Sequence, residues 1–430
     1  MTRVLAVSAA LTGALLLAAC SSPASDGAAS SPATSPGSSP TAASQTPTEA
    51  SPSPTEASPS PTPTPEPTPE DATFTILAAG DVLPHDSVLA AADTGEGWDF
   101  TQLWEPTTAW VQAADLALCH LEVPITEARE PVGYPVFASP PSLAEDLAAA
   151  GWDGCSTASN HSVDQGWTGI VDTLDALDAA GLGHVGTARS EQEAAAPQLY
   201  TLERAGRTVT VAQLSQTYST NGIPVPAQAP WSVDMLDGPA LITQARAARE
   251  AGADLVLASL HWGTEYTDDP IDSQTRLAQE LAASGEIDLV IGNHPHVPQR
   301  MELLDGGPGG EGMWVAYSQG NYISNQDWRC CRPETGTGLF MWATVEVPVE
   351  GPVRISGLEW TAVPGDSAGS QRIYAMPDLL EERIETPLLT VEREELEDRQ
   401  RRVEAVMGET PQRTEAPTPS GPGAEVVPRG

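Results

Sequence analysis

A chain of 430 residues with 59 acidic and 20 basic side chains carries a formal net charge of −39 at pH 7. Every basic residue is arginine, which excludes chemistry that needs a lysine: a phosphate-binding P-loop, a Schiff base or a kinase-type ion pair. The acidic balance also opposes nucleic acid, and anionic lipid bound by charge, so an anionic substrate would have to be held locally, by metal or by a few arginines.

Residues 1–19 have the layout of a signal peptide. A short basic start, Met1-Thr2-Arg3, precedes an apolar run too short for a stable membrane span. Leu17-Ala18-Ala19-Cys20 resembles the bacterial lipoprotein signal box, with small residues before a cysteine. The expectation is cleavage before Cys20 and lipidation of its thiol, which would anchor the chain at the extracytoplasmic face of the cell membrane. An uncleaved anchor and an ordinary secretory peptide are the alternatives. Residues 20–71 are rich in Pro, Ser and Thr and cannot bury enough apolar surface to fold, so they read as an extended, disordered tether.

The core-forming part spans residues 72–390, enough for one large α/β domain. Its first strand, Thr73 to Ala79, ends in Gly80-Asp81. Asp81 at a strand end is a candidate metal ligand or a helix cap. His85 reads as a ligand or, in preference, a surface histidine. A second strand, Asp115 to Leu118, leads into Cys119-His120-Leu121-Glu122 and a turn closed by Pro124. A helix opens at Pro140-Pro141 and runs through Ala150. The third strand, Gly154 to Ser159, ends in Asn160-His161 before a helix of period near 3.6 (Ile170, Leu174, Leu177). Asn160 offers a carbonyl oxygen to a metal or caps that helix. His161 is free to donate a proton or acts as a hydrogen-bonding neighbour.

Gln198 to Gln213 reads as a hairpin turning at Ala205-Gly206. Asp254 to Leu260 is a strand ending in His261-Trp262-Gly263, and a helix from Ile271 to Ser284 follows it. The apolar run Ile287 to Ile291 ends in Gly292 and then presents His294 and His296 in one turn. Such runs are typical of parallel strands covered on both faces, and ligands sit outside the carboxyl ends of those strands. Trp314 to Ser318 is a further strand. Leu339 to Val349 and Val353 to Val363 read as an antiparallel pair. Val391 to Met407 is a charged helix, and the Pro/Gly/Thr-rich stretch from about 409 to 430 is expected to be disordered. The alternation argues an α/β fold, and the hairpins argue mixed sheets.

After Cys20, four cysteines remain. Cys119 and Cys155 fall in neighbouring predicted strands and read as buried thiols, and Cys330-Cys331 lies in a polar loop. Three pairings are open, and no spacing fits a structural zinc site.

Six segments, in order, resemble the poly-γ-glutamate capsule-synthesis (CapA-type) family, a branch of the calcineurin-like metallophosphatase superfamily. They are Gly80-Asp81, Leu121-Glu122 with Pro124, Asn160-His161 with Asp164 and Gly166, His261-Trp262-Gly263 with Glu265-Tyr266, Gly292-Asn293-His294-Pro295-His296, and Tyr317-Ser318-Gln319-Gly320-Asn321. The resemblance covers about residues 73 to 365. It implies a four-layered αββα sandwich with two divalent metal ions (manganese, zinc or iron) at the strand ends. By that resemblance Asp81 and His296 hold one metal, Glu122 bridges both, and Asn160, His261 and His294 hold the other, with His161 as proton donor. Leu83 stands where the wider superfamily has a histidine ligand, and His120 where this branch usually has asparagine. Ser159 and Gln319 also depart from the usual Asn and Leu.

Three functions follow as expectations. The first is a surface-tethered, metal-dependent hydrolase of metallophosphoesterase kind, acting on a phosphoester or polymer bond in anionic polymer biosynthesis. The second is a non-catalytic scaffold or export component that binds the polymer. The third is a solute-binding lipoprotein. Arg300 and Arg329 are among the few cations near the motifs and are expected to help hold an anionic polymer. The implied partners are the membrane through Cys20, that polymer and the membrane proteins that synthesise it, with no nucleic acid.

Overall fold

The computed structural model describes residues 69–429. The signal peptide, Cys20 and nearly all of the tether lie outside the described residues.

The first half of the chain runs β1 (Ala72–Val82), α1 (Asp86–Ala92), α2 (Thr101–Val111), β2 (Leu116–Leu121), α3 (Ser142–Ala150), β3 (Gly154–Ser156), α4 (Gly166–Ala179), β4 (Gly183–Val185) and α5 (Glu191–Ala195). The hairpin β5 (Gln198–Arg204) and β6 (Arg207–Thr217) follows, turning at Ala205-Gly206 as expected. Then come α6 (Gly238–Glu250), β7 (Leu255–His261), α7 (Asp272–Ser284), β8 (Leu289–Asn293), β9 (Pro298–Leu304), β10 (Met313–Gln319) and β11 (Asn321–Ile323). The chain closes with β12 (Thr337–Val347), β13 (Arg354–Pro364), α8 (Met376–Leu380), α9 (Arg393–Met407) and β14 (Glu425–Val427).

Two mixed sheets form. One is ordered β13-β12-β1-β2-β3-β4, with β11 added to the far end of β1; the other is ordered β14-β5-β6-β7-β8-β10-β9. β1 to β4 run parallel, as do β6, β7, β8 and β10. Parallel strands need crossovers, and the helices that supply them cover the outer faces.

Three apolar cores mark four layers. Phe74, Ile76 and Ala78 of β1 meet Val211, Leu257 and Ile291 of the second sheet in a central core. Leu77 and Ala79, on the other face of β1, pack with Trp104, Leu147 and Leu174 of α2, α3 and α4. Val256 and Val290 pack with Leu241 and Leu281 of α6 and α7. The central parallel strands β2, β7 and β8 bury every residue, which is why their sequences are nearly unbroken apolar runs. The αββα sandwich expected from the sequence is the fold observed.

The tail departs from expectation. Residues 409–429 are not a disordered extension. β14 pairs antiparallel with β5, and the Arg429 guanidinium donates to the carbonyls of His184, Thr187 and Glu193. α9 turns Leu396, Val403 and Met407 into the central core. Buried Asp115 explains the path of the tail, because its carboxylate accepts from Thr75 N, Arg204 Nη2 and Ser420 N at 2.7–2.8 Å. Specific buried partners override a composition that otherwise reads as linker.

The thiols of Cys119 and Cys155 are joined as a disulfide, as are those of Cys330 and Cys331. Parallel pairing of β2 with β3 sets Cys119 opposite Cys155.

Candidate metal centre

The carboxyl ends of β1, β2, β7 and β8 converge where the two sheets meet, with the loop after β3 closing the side. Glycine makes the approach feasible at two points. A Cβ on Gly80 would lie 2.1 Å from the Gly320 carbonyl oxygen, and one on Gly292 would lie 2.0 Å from that of Tyr317. Past Gly292 the backbone turns so tightly that His294 and His296 both take left-handed conformations, with φ of 97° and 58°. Non-glycine residues adopt such angles at a cost, and they cluster at functional sites.

Among the described residues three fully buried triads result, Asp81, His120 and His261 being one, and Glu122 belongs to the other two. Of these two, Asp81, Glu122 and His296 form the first; Glu122, His261 and His294 form the second. In each triad the candidate ligand atoms lie within 4.8 Å of one another, and every member is buried. His296 Nε2 is 3.8 Å and His261 Nε2 3.9 Å from the same Glu122 Oε1. Asn160 joins the second group, its Oδ1 2.9 Å from His261 Nε2. Asn160 is no helix cap, since α4 starts six residues later, and Asp81 lies within β1. The six residues named from the sequence as ligands are therefore brought together.

The donor set fits divalent cations. Both oxygens of Asp81 and of Glu122 are buried without a well-aimed hydrogen-bond donor among the described residues, and so is His294 Nδ1. Uncompensated buried carboxylates cost several kcal/mol each, on the order of the desolvation of an ion, unless a positive charge meets them. Burial pushes the Glu122 carboxyl well above the usual carboxylate range. Burial also works against His296, but the Glu122 charge and the Asp81 carboxylate hold it up at about 9. Burial takes His120 down to about 4 and His294 to about 3, leaving both imidazoles neutral and able to offer a lone pair.

Neighbours orient these groups. The bond from His296 Nδ1–H goes to Asn321 Oδ1 at 3.0 Å, although Asp81 Oδ2 is equally near at 2.9 Å. Asn321 can only accept there, because its amide nitrogen donates to Gln326 Oε1 and Thr335 O. That leaves Nε2 as the nitrogen facing Glu122. His161 Nδ1 lies 2.7 Å from Asp164 Oδ2, and its Nε2 looks toward Asn221. Phe137 meets the His161 ring edge-on at 4.7 Å, and Tyr218 covers His294 at 4.6 Å.

One expectation is corrected, the placement of His85. His85 is not a surface residue; it is buried against Phe137, with Nδ1 3.0 Å from Leu83 O. Arg300 pairs with Glu302 and lies over the Tyr317 ring, and Arg329 pairs with Asp327 and Ser367 O. None of these contacts involves a residue of the histidine cluster.

Sequence reasoning assigned no role to His120, Asn321 or Asn221. The first two flank Asp81 in register, one on β2 and one on β11. The unusual histidine before Leu121 was the available signal for His120. Asn221 comes from a loop with no motif. Glu265 also approaches His294 and His296, from an exposed position.

A family model described as bacterial capsule synthesis protein PGA_cap matches residues 75–326. The chain is 30% identical over 202 residues to the PGA biosynthesis protein CapA of Bacillus subtilis, covering 45% of this chain and 50% of that one. It is 28% identical over 232 residues to a probable polyglutamine synthesis accessory protein of Mycobacterium tuberculosis, covering 50% and 57%. The chain thus spans about half the length of the curated relatives it matches. Among solved structures it resembles the calcineurin-like phosphoesterase YfkN from Bacillus subtilis, with a TM-score of 0.37 and 15% identity over 78% of this chain and 97% of that one. The family match takes in every strand end of the buried centre and more than half of the sequence, and the chain belongs to the bacterial capsule synthesis protein PGA_cap family.

Proposed function

We propose that this protein is a metal-dependent hydrolase of metallophosphoesterase kind, tethered at the outer face of the cell membrane and acting in the assembly or processing of an anionic polymer. The observation that carries the reading is the pair of buried triads sharing Glu122, whose carboxylate oxygens find no well-aimed donor among the described residues, His296 beside Asp81 being the nearest. Asp81, Glu122 and His296 would hold one divalent ion, and Glu122, Asn160, His261 and His294 a second. Two such ions supply an activated water and neutralise charge developing on the substrate. The chain's own contribution is placement. Asp164 accepts from His161 Nδ1 and leaves Nε2, which faces Asn221, as the nitrogen that would hand a proton to the leaving oxygen. The tether rests on the Leu17-Ala18-Ala19-Cys20 box, and the polymer on the names of the relatives.

One observation favours a second reading. Leu83, where an imidazole ligand would stand, is buried in the apolar core. A weakly held first ion would suit a non-catalytic component that binds the polymer through the remaining metal.

The test is turnover by the purified full chain, reconstituted with manganese, zinc or iron, against phosphomonoesters, phosphodiesters and γ-glutamyl oligomers. Metal-dependent hydrolysis lost in His161→Ala supports the enzyme. Polymer binding without turnover in every metal form moves the weight to the second reading.

A further inference from the structure

His120 has a place in the centre that its sequence position alone does not reveal. It faces Asp81 on β1 and Ser156 on β3 in register. Its Nδ1 is 2.8 Å from Ser156 Oγ, and its Nε2 is 2.9 Å from His261 Nδ1. Beyond it, His261 Nε2 is 2.9 Å from Asn160 Oδ1. The Asn160 amide nitrogen is directed to Asn221 Oδ1 at 3.3 Å, so the atom facing His261 is an acceptor. Ser156, His120, His261 and Asn160 thus form one buried line.

We propose that His120 is a positioning residue that fixes the tautomer of His261, so that His261 Nε2 is the bare nitrogen offered to the metal. The inference rests on the metal-centre reading above. A neutral imidazole carries one N–H. By itself the line runs toward Asn160, whose oxygen accepts from His261 Nε2–H; an ion held by Glu122, Asn160 and His294 takes that place and turns the line round. His261 must then present a lone pair at Nε2, its proton sits on Nδ1, and Nδ1–H donates to His120 Nε2. His120 in turn carries its proton on Nδ1 and donates it to Ser156 Oγ. The serine hydroxyl has an outlet of its own in the Cys119 carbonyl, 3.5 Å away. Every donor in the line has an acceptor, and one ring nitrogen is left bare where the second triad converges. Metal-bound histidines are commonly held in this way through their other nitrogen, and losing the partner typically costs about 10–100-fold in affinity.

Asp81, His120 and His261 also converge closely enough to hold an ion; the contact between the two imidazoles is what favours positioning over ligation for His120. Its Nε2 is engaged by His261 at 2.9 Å and stands 3.8 Å from Asp81 Oδ1.

The experiment compares the wild-type full chain with His120→Leu, which has no acceptor, and His120→Gln, whose side-chain oxygen reaches about as far as Nε2. Zinc binding is titrated by calorimetry after thermal unfolding has confirmed that each is folded. The expected result is two ions in every form, one of them bound about 10–100-fold more weakly in His120→Leu, with most of the loss recovered in His120→Gln. An unchanged isotherm in His120→Leu would overturn the inference while leaving the metal centre standing. A wild type that binds no zinc would overturn both. A second measurement needs no variant: nitrogen NMR of the cadmium-113-loaded protein with labelled histidine. A proton on His261 Nδ1 and cadmium coupling to His261 Nε2 are expected. Cadmium coupling to His120 Nε2 would make His120 a ligand and contradict its positioning role.

Discussion

His161 Nδ1 and Asp164 Oδ2 are 2.7 Å apart, on one turn between β3 and α4. The same carboxylate oxygen accepts from Phe137 N at 2.8 Å, and the Phe137 ring packs on His161. One aspartate therefore fixes both the ring that would donate the proton and the loop that covers it. His161→Ala is expected to lower kcat by about 10²–10⁴-fold while leaving metal content unchanged, the usual scale for losing a positioned general acid. Asp164→Asn is expected to give a smaller loss of the same kind. Steady-state kinetics with elemental analysis of the same preparations check this, and loss of metal in His161→Ala would instead make His161 a ligand.

Much of this centre was legible because each buried strand breaks off into residues that do not belong in a core. Asp81, Glu122, Asn160, His261, His294 and His296 each follow an apolar run, and parallel strands carry such ends to one edge. What could not be read was partnership across the sheets. Asn321 beside His296, and His120 between Ser156 and His261, depend on register between strands far apart in sequence. Short or edge strands such as β4 and β9 carry too few residues, or begin with proline, and give little periodicity.

The tail failed differently. Its Pro/Gly/Thr-rich composition resembles the N-terminal tether, yet Arg204 and Asp115 form a buried ion pair that also accepts Ser420. Removing one partner of such a pair strands the other charge, at about 3–5 kcal/mol. Arg204→Ala is expected to lower thermal stability by that order and to make residues 409–429 accessible to proteases. Limited proteolysis with mass mapping reads the second effect. An unchanged cleavage pattern would contradict the role given to Asp115.

The fold should also respond to pH through Asp153. Burial pushes its carboxyl up to about 7, against the bond it accepts from Ala117 N at 2.7 Å. Because the folded value lies above the unfolded one near 3.8, the stability Asp153 contributes is complete below about pH 4 and is lost as pH rises through about 7. Asp153→Asn keeps an acceptor and cannot ionise. It is expected to be more stable than wild type at pH 8, by about 1–2 kcal/mol for a partly exposed group, with the advantage gone near pH 4. Melting curves across that range check the sign. An advantage that grows toward acid would contradict the assignment.

The most direct measurement of the central claim is metal content. Elemental analysis of the full chain, beside a His261→Ala, His296→Ala double variant, removes one imidazole from each triad. Close to two transition-metal ions in the wild type, lost in the variant, is the predicted result. No bound metal after reconstitution with manganese, zinc or iron would contradict the hydrolase and leave the buried carboxylates of Asp81 and Glu122 in need of another explanation.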